Sequence, residues 1–174
     1  MKHFLIVVDM QTDFIDGSLG TPEAVAILPA VVQKIQSFQG KVFATMDTHA
    51  ESYLQSAEGR HLPVVHCVKD AAGWALAPEI AEALRARDAV LVEKPTFGSL
   101  ILPQLIEDVA AGEDFDLTLA GLCTDICVVS NALLLKARFH EKEVCVDAAC
   151  CAGVTPEKHL AALEVMRSCQ INIL

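Results

Sequence analysis

Positive charge is scarce in this 174-residue chain: 13 lysines and arginines stand against 23 aspartates and glutamates, a formal net charge of −10. A polyanionic partner would meet repulsion over most of the surface, which argues against nucleic acid as a ligand. Long apolar runs are missing too. The stretch Phe4 to Val8 stops at Asp9, too early for the core of a signal peptide or a membrane span. A cytoplasmic protein with no membrane partner is expected. No internal repeat, low-complexity tract or Pro/Gly/Ser-rich linker interrupts the chain, so residues 1–174 are expected to form a single domain. Apolar side chains, by contrast, are plentiful. At 53% of residues they suffice for a large buried core and exclude disorder, collagen and coiled coil. Seven cysteines, an odd number beside such a core, do not suit a disulfide-stapled secreted scaffold, and most are expected to be reduced.

Short β-branched runs alternate with helical patterns throughout. The pattern predicts strands at Phe4–Val8, Lys41–Met46, Ala89–Glu93, Leu117–Ala120, Val144–Val146 and Ile171–Ile173. Each is nearly all apolar rather than alternating, as strands covered on both faces should be. Helix signals fill the gaps. Thr21-Pro22-Glu23 offers an N-cap, a first-turn proline and an acid, with Gly40 placed to stop the helix, and Thr155-Pro156-Glu157 repeats the signature before His159–Ser168. Pro78–Arg87, Leu100–Ala111 and Thr124–His140 complete the set. The expected fold class is α/β: three layers, α/β/α, around a mostly parallel, six-stranded, doubly wound, Rossmann-like sheet. A long irregular insertion, Thr48 to Ala77, follows the second strand, and insertions of that length are usually functional.

Ligands of doubly wound sheets bind outside the carboxyl ends of the strands, so those positions come first. They hold Asp9, Asp47 and His49, Lys94, and the run Cys123 to Cys127. Taken singly, an aspartate at a strand end is ordinarily a turn cap, a lysine before proline a solvated loop residue, and a cysteine a small core hydrophobe. Cys127 stands apart from its siblings. With Thr124 as N-cap it falls in the first helical turn, where free N–H groups and the helix dipole favour a thiolate, and Lys94 would favour it further. Asp9 could take the thiol proton and return it to a leaving group. Cys67, Cys145, Cys150, Cys151 and Cys169 lack that setting and read as structural, although Cys150 and Cys151 also follow a strand and could border the site. Asp47, His49 and His66 offer an oxygen and two imidazoles, a donor set suited to zinc, iron or manganese.

Three blocks then align with a known pattern. Val8-Asp9-Met10-Gln11-Thr12-Asp13-Phe14, Glu93-Lys94-Pro95-Thr96-Phe97 and Gly121-Leu122-Cys123-Thr124-Asp125-Ile126-Cys127-Val128 resemble the isochorismatase-like cysteine hydrolases. Asp47-x-His49 and His66-Cys67-Val68 resemble the metal-binding segments of the nicotinamidase branch. The resemblance implies an isochorismatase-like fold, with Asp9 as general base, Lys94 as its cationic partner and Cys127 as nucleophile. It implies a non-proline cis peptide, a rare feature, at Leu122–Cys123. This would aim the Cys123 N–H into an oxyanion hole shared with the Cys127 N–H. Phe14 and Trp74 are the expected substrate-binding residues. Ala50 to Gln55 contains no further histidine, so Asp47, His49 and His66 are expected to hold one divalent ion, zinc first and iron or manganese after it, in a three-ligand open site. Relatives are usually homo-oligomers, which extends that expectation to this chain.

The resulting expectation is a cysteine hydrolase that cleaves a small amide through a thioester, with nicotinamide to nicotinate plus ammonia as the leading reaction. One alternative is hydrolysis of a carbamoyl or ureido compound, with Arg60 or Lys69 holding an acidic substrate; another is an isochorismatase-type reaction. A different class, a thiol redox or binding protein, is suggested by the seven cysteines and the Cys123/Cys127 pair.

Overall fold

A computed structural model describes residues 1–174. Its six strands are β1 (Lys2–Val8), β2 (Lys41–Asp47), β3 (Val90–Lys94), β4 (Phe115–Leu122), β5 (Val144–Ala152) and β6 (Asn172–Ile173). They form one sheet of order β3-β2-β1-β4-β5-β6, and every pairing is parallel. After β1 the chain builds outward through β2 and β3, then returns to lay β4 against the other side of β1. That reversal is the switch point at which such sheets open a crevice beyond their carboxyl ends.

Alternation along β1 divides the core. Phe4, Ile6 and Val8 join one buried cluster with Leu117 and Leu119 of β4. The helices that cover this face are α5 (Leu102–Ala110), α6 (Val129–Arg138) and α7 (Pro156–Ser168). Leu5 and Val7 point the other way, into a second cluster with α2 (Pro22–Ser37) and α4 (Pro78–Ala86). Each fully buried Val, Leu or Ile in these layers contributes about 1.5–3 kcal/mol. The two Thr-Pro-Glu signatures behave as their sequence predicts: Thr21 accepts the Ala24 N–H and Thr155 the Lys158 N–H, with Pro22 and Pro156 opening the helices. No helix is long and apolar enough to cross a membrane.

Two elements differ from the expected pattern. β5 continues through Ala152 instead of ending at Val146, because pairing with β4 carries it past Asp147, Ala148 and Ala149, residues of low strand propensity. Cys150 and Cys151 therefore lie inside the strand, buried in opposite core clusters, and do not border the site. The helix expected from Thr124 opens instead with a π-helical turn, Thr124–Val128, whose cap position is Cys123. The Thr124 hydroxyl is not a cap; it lies 2.8 Å from Nδ1 of His159 on α7. Gly121, at φ 119°, permits the close passage of β4 past β1, since a Cβ there would lie 2.2 Å from the Val8 carbonyl oxygen.

The insertion folds into short pieces: a 3-10 turn at Tyr53–Gln55, α3 (Ala57–His61) and a second 3-10 turn at Ala72–Trp74. The first motif holds it down. The Gln11 amide donates to the carbonyls of Asp47 and Trp74, both at 2.8 Å, while its oxygen accepts the Asp47 N–H. Asp13, on the short helix α1 (Thr12–Ile15), accepts the Cys67 N–H at 2.8 Å.

Candidate active site

Three strand ends bring Asp9, Lys94 and Cys127 together beneath the surface. Asp9 leaves β1 with φ 47°, a left-handed conformation that aspartate tolerates better than most residues. Its Oδ1 accepts a 2.6 Å hydrogen bond from the Thr45 hydroxyl. Its Oδ2 lies 2.6 Å from the Lys94 ammonium. Lys94 Nζ also donates to the Thr96 carbonyl at 3.1 Å, to Asp47 Oδ1 at 3.3 Å and to Cys127 Sγ at 3.6 Å. Asp9 and Lys94 are at most 1% exposed and Cys127 is 5% exposed, so the charges act in a medium where they are weakly screened.

Burial raises the Asp9 carboxyl, and the Lys94 charge only partly offsets this. Burial alone would lower the Lys94 ammonium, but the charges of Asp9, Cys127 and Asp47 outweigh it and hold the amine protonated. Burial, together with the Asp9 charge, pushes the Cys127 thiol well above its ordinary range despite Lys94. The direction is opposite to the one expected from the helix terminus and Lys94, because depth of burial and the nearby Asp9 were not visible in the sequence; it places a thiol next to a carboxyl able to take its proton. The Leu122–Cys123 peptide is cis. The Cys123 side chain lines the same pocket, and its own thiol is pushed up to about 12, first by burial and then by Asp125 and Asp9.

A second group of side chains shares the pocket. Asp47, His49, Glu58 and His66 present ligand atoms that all lie within 4.8 Å of one another. His49 Nε2 is 2.9 Å from Asp47 Oδ2, and His66 Nε2 is 3.6 Å from it. Glu58 Oε1 is 3.6 Å from both imidazole nitrogens. His66 Nδ1 donates to the Val64 carbonyl at 2.8 Å, which turns its Nε2 toward Asp47 and Glu58. His49 Nε2 is buried with no aligned hydrogen-bond partner. Tyr53 packs against both imidazoles, with ring centroids at 4.7 and 4.9 Å. Burial raises the Asp47 carboxyl, but the adjoining His49 and His66 imidazoles and the charge of Lys94 hold it well below the ordinary range. Two carboxylates and two imidazoles converging around an orphaned buried nitrogen fit a divalent cation.

The sequence reading counted three of these four donors and expected an open site. Glu58 was missed. Its helix begins with an ordinary capping pattern, Ser56 accepting the Gly59 N–H at 2.9 Å, and an acid in a first turn has a sufficient local explanation in the helix dipole. Only the folding of the insertion, which sets α3 over the end of β2, gives it a second one. The pocket walls are Phe14, Leu19, Leu62, Phe97 and Ile126, together with Asp47, Glu58, His66, Cys123 and Cys127. Phe14 thus sits where its motif suggested. Trp74 does not: its indole N–H donates to the Thr48 hydroxyl at 2.9 Å, and it packs into the core beneath the insertion. Arg60 donates to the Gln55 carbonyl and Lys69 pairs with Glu93, both at the exposed surface. Neither lines the pocket.

These features coincide with the outcome of comparison with known proteins. The description "Isochorismatase domain" matches residues 3–174. The chain belongs to the isochorismatase family, in its nicotinamidase-like branch, and is an amidohydrolase. Among solved structures it is similar to the pyrazinamidase of Pyrococcus horikoshii in complex with zinc, at 30% identity over 100% of this chain and 99% of that one, with a TM-score of 0.81. A nicotinamidase/pyrazinamidase from Bacillus subtilis is 25% identical over 99% of each chain, with a TM-score of 0.82. The yeast nicotinamidase bound to nicotinaldehyde shares the fold at 18% identity, with a TM-score of 0.86 over 99% of each chain. No curated protein sequence matches.

Proposed function

We propose that the protein hydrolyses a small, neutral, planar amide through a Cys127 thioester, with nicotinamide to nicotinate plus ammonia as the reaction. The observation that carries this reading is the opening of one apolar-walled pocket onto both the Cys127 sulfur, backed by Asp9 and Lys94, and Asp47, Glu58 and His66, three of the four members of the metal-fitting group. Asp9 takes the thiol proton as sulfur bonds to the carbonyl carbon, and the oxyanion is met by the backbone N–H groups of Cys123 and Cys127. As the intermediate collapses the C–N bond breaks, Asp9 returns the proton to nitrogen, and ammonia leaves. Water then attacks the thioester with Asp9 again receiving a proton, and the C–S bond breaks to give the acid and the regenerated thiol. Lys94 keeps its charge throughout and stabilises the Asp9 carboxylate at 2.6 Å. Asp47, His49, Glu58 and His66 would hold a divalent ion, with zinc preferred over iron and manganese; when bound, it supplies a Lewis-acid anchor for a ring nitrogen. Phe14 and Phe97 supply apolar walls for the ring.

Charge favours this substrate class over the carbamoyl acids and over isochorismatase-type acids. No arginine or lysine lines the pocket, and Asp47 and Glu58 both do, so an acidic substrate would find no cationic side chain on its walls. The redox alternative has a geometric basis in the shared pocket of Cys123 and Cys127, but burial pushes both thiols up, which disfavours the thiolate that exchange needs. Ammonia release from a panel of neutral and acidic amides, run on the wild type and on Cys127→Ala, tests the proposal. Turnover of nicotinamide that vanishes in the variant is the expected result. Turnover confined to carbamoyl acids, or retained in Cys127→Ala, refutes it.

A further inference from the structure

We propose that Asn131 is a positioning residue that ties the Lys94–Ser99 loop to the nucleophile turn and so sets the spacing between Lys94, the Phe97 wall and Cys127. The inference rests on the reading of Cys127 as nucleophile. Asn131 lies on α6, one turn after Cys127, and is 1% exposed. Its amide nitrogen donates to the Cys127 carbonyl at 2.8 Å and to the Phe97 carbonyl at 3.0 Å, and its oxygen accepts the Ser99 N–H at 2.9 Å. Two donors on one nitrogen are thereby divided between the nucleophile turn and the loop, while the acceptor takes a second backbone point on the loop. Among side chains of this length only a carboxamide offers both donors and the acceptor.

The loop so held carries two parts of the site, Lys94 and Phe97. Lys94 begins it and bonds back to its Thr96 carbonyl at 3.1 Å. Phe97 forms a wall of the pocket. Ser99 closes it by accepting the Leu102 N–H at the start of α5. Contact with α6 is close: a Cβ on Gly98 would lie 2.4 Å from Leu134 Cδ1. The Lys94-to-Cys127 distance, 3.6 Å, leaves little slack, and misplacement of reacting groups by about 1 Å can cost around 10²-fold in rate.

Two substitutions separate positioning from packing. Asn131→Leu removes all three hydrogen bonds. Asn131→Thr keeps a hydroxyl able to reach the Cys127 carbonyl four residues back but cannot tie the loop. Gln104→Ala serves as control, because this exposed residue of α5 bonds only the Asp108 side chain and touches neither the loop nor Asn131. Each is measured for melting temperature, for kcat and KM in amide hydrolysis, and for the rate constant of iodoacetamide alkylation at Cys127. The expected result for folded Asn131→Thr is a kcat at least fivefold lower, a KM raised about threefold or more through Phe97, and an alkylation rate changed at least threefold, with Gln104→Ala at wild-type values. A residue that only packs would lower the melting temperature of both variants and leave kcat, KM and alkylation of the folded fraction within twofold of wild type; that outcome overturns the proposal. Should Asn131→Leu fail to fold, Asn131→Thr alone decides. Turnover surviving in Cys127→Ala would remove the underlying reading instead, and the alkylation rates would then decide whether Asn131 still sets the position of Cys127.

Discussion

Replacing Lys94 by methionine tests the electrostatic logic of the site at its centre. The side chain keeps its approximate length but loses the charge that sits 2.6 Å from Asp9 and 3.3 Å from Asp47. At 2.6 Å and an effective dielectric of about 20, the Asp9 attraction alone is about 6 kcal/mol. Relief of the cation's own desolvation cost returns part of that, and removing one partner of a buried pair typically leaves a net loss of about 3–5 kcal/mol. Against a total stability of about 5–15 kcal/mol for a domain, the loss is large enough to read by urea unfolding. Its dependence on pH identifies the cause. Asp9 already has its folded-state affinity for a proton raised by burial, and without Lys94 it rises further. A carboxyl raised in this way stabilises the fold below its unfolded pKa and loses that contribution as pH rises through the folded value. The destabilisation of Lys94→Met should therefore be greatest near pH 8 and shrink on acidification as Asp9 takes up a proton. Unfolding free energies of wild type and variant, compared across pH 5 to 8, measure it. A difference below about 1 kcal/mol at pH 8, or one that does not change with pH, would refute the reasoning.

Asp9→Asn should retain the fold by circular dichroism yet lose at least 10²-fold in kcat, since the amide cannot accept and return the proton; near-wild-type turnover would reduce Asp9 to a turn residue. Thr45→Val, which removes the 2.6 Å bond to Asp9 Oδ1, should raise the Asp9 carboxyl further and move the acid limb of kcat/KM to higher pH, with no movement as the contrary result. Glu58→Gln should weaken divalent-ion binding at least tenfold, measured by elemental analysis after dialysis against a graded chelator; unchanged retention would place Glu58 outside the ligand set. Cys169, the exposed cysteine, should be alkylated before buried Cys127 in the free protein, and mass mapping that found Cys127 labelled first would contradict the raised thiol.

The sheet was readable because its strands are buried on both faces, so each core strand carries the continuous apolar signature that local pattern detects. Where that signature fades, at Asp147 to Ala149, the reading stopped while the strand did not, because β5 breaks register there and resumes pairing with β4 at Cys151 and Ala152, which local propensity does not reveal. The candidate trio was legible for a related reason. Asp9, Lys94 and Cys127 sit at strand ends or one turn beyond, so a correct sheet brings them together without any knowledge of loop paths. Their ionisation was not legible. A helix start and a nearby lysine argue for a thiolate, but the sign of the shift depends on how deeply the sulfur is buried and how close Asp9 lies, quantities that only packing sets.

Residues of the insertion obey a different rule. His49 and His66 could be paired in the sequence because their residue type is chemically distinctive, whereas Glu58 and Trp74 could not be sorted by type at all. An exposed-looking glutamate became the fourth member of the metal-fitting group, and an aromatic residue expected against the substrate became a strut holding Thr48. Both outcomes follow from one cause: the path of Thr48 to Ala77 is fixed by Gln11 and Asp13, which reach from the end of β1 to backbone groups of Asp47, Trp74 and Cys67. The polar side chains of the first motif therefore decide which residues of the insertion face the pocket. Glu58 and Leu62 come to line it while Arg60, between them, bonds the Gln55 carbonyl at the surface. That placement leaves the pocket without an arginine or lysine on its walls, and on the proposed function it makes the insertion, more than Asp9, Lys94 and Cys127, the segment that separates a neutral amide from an acidic one.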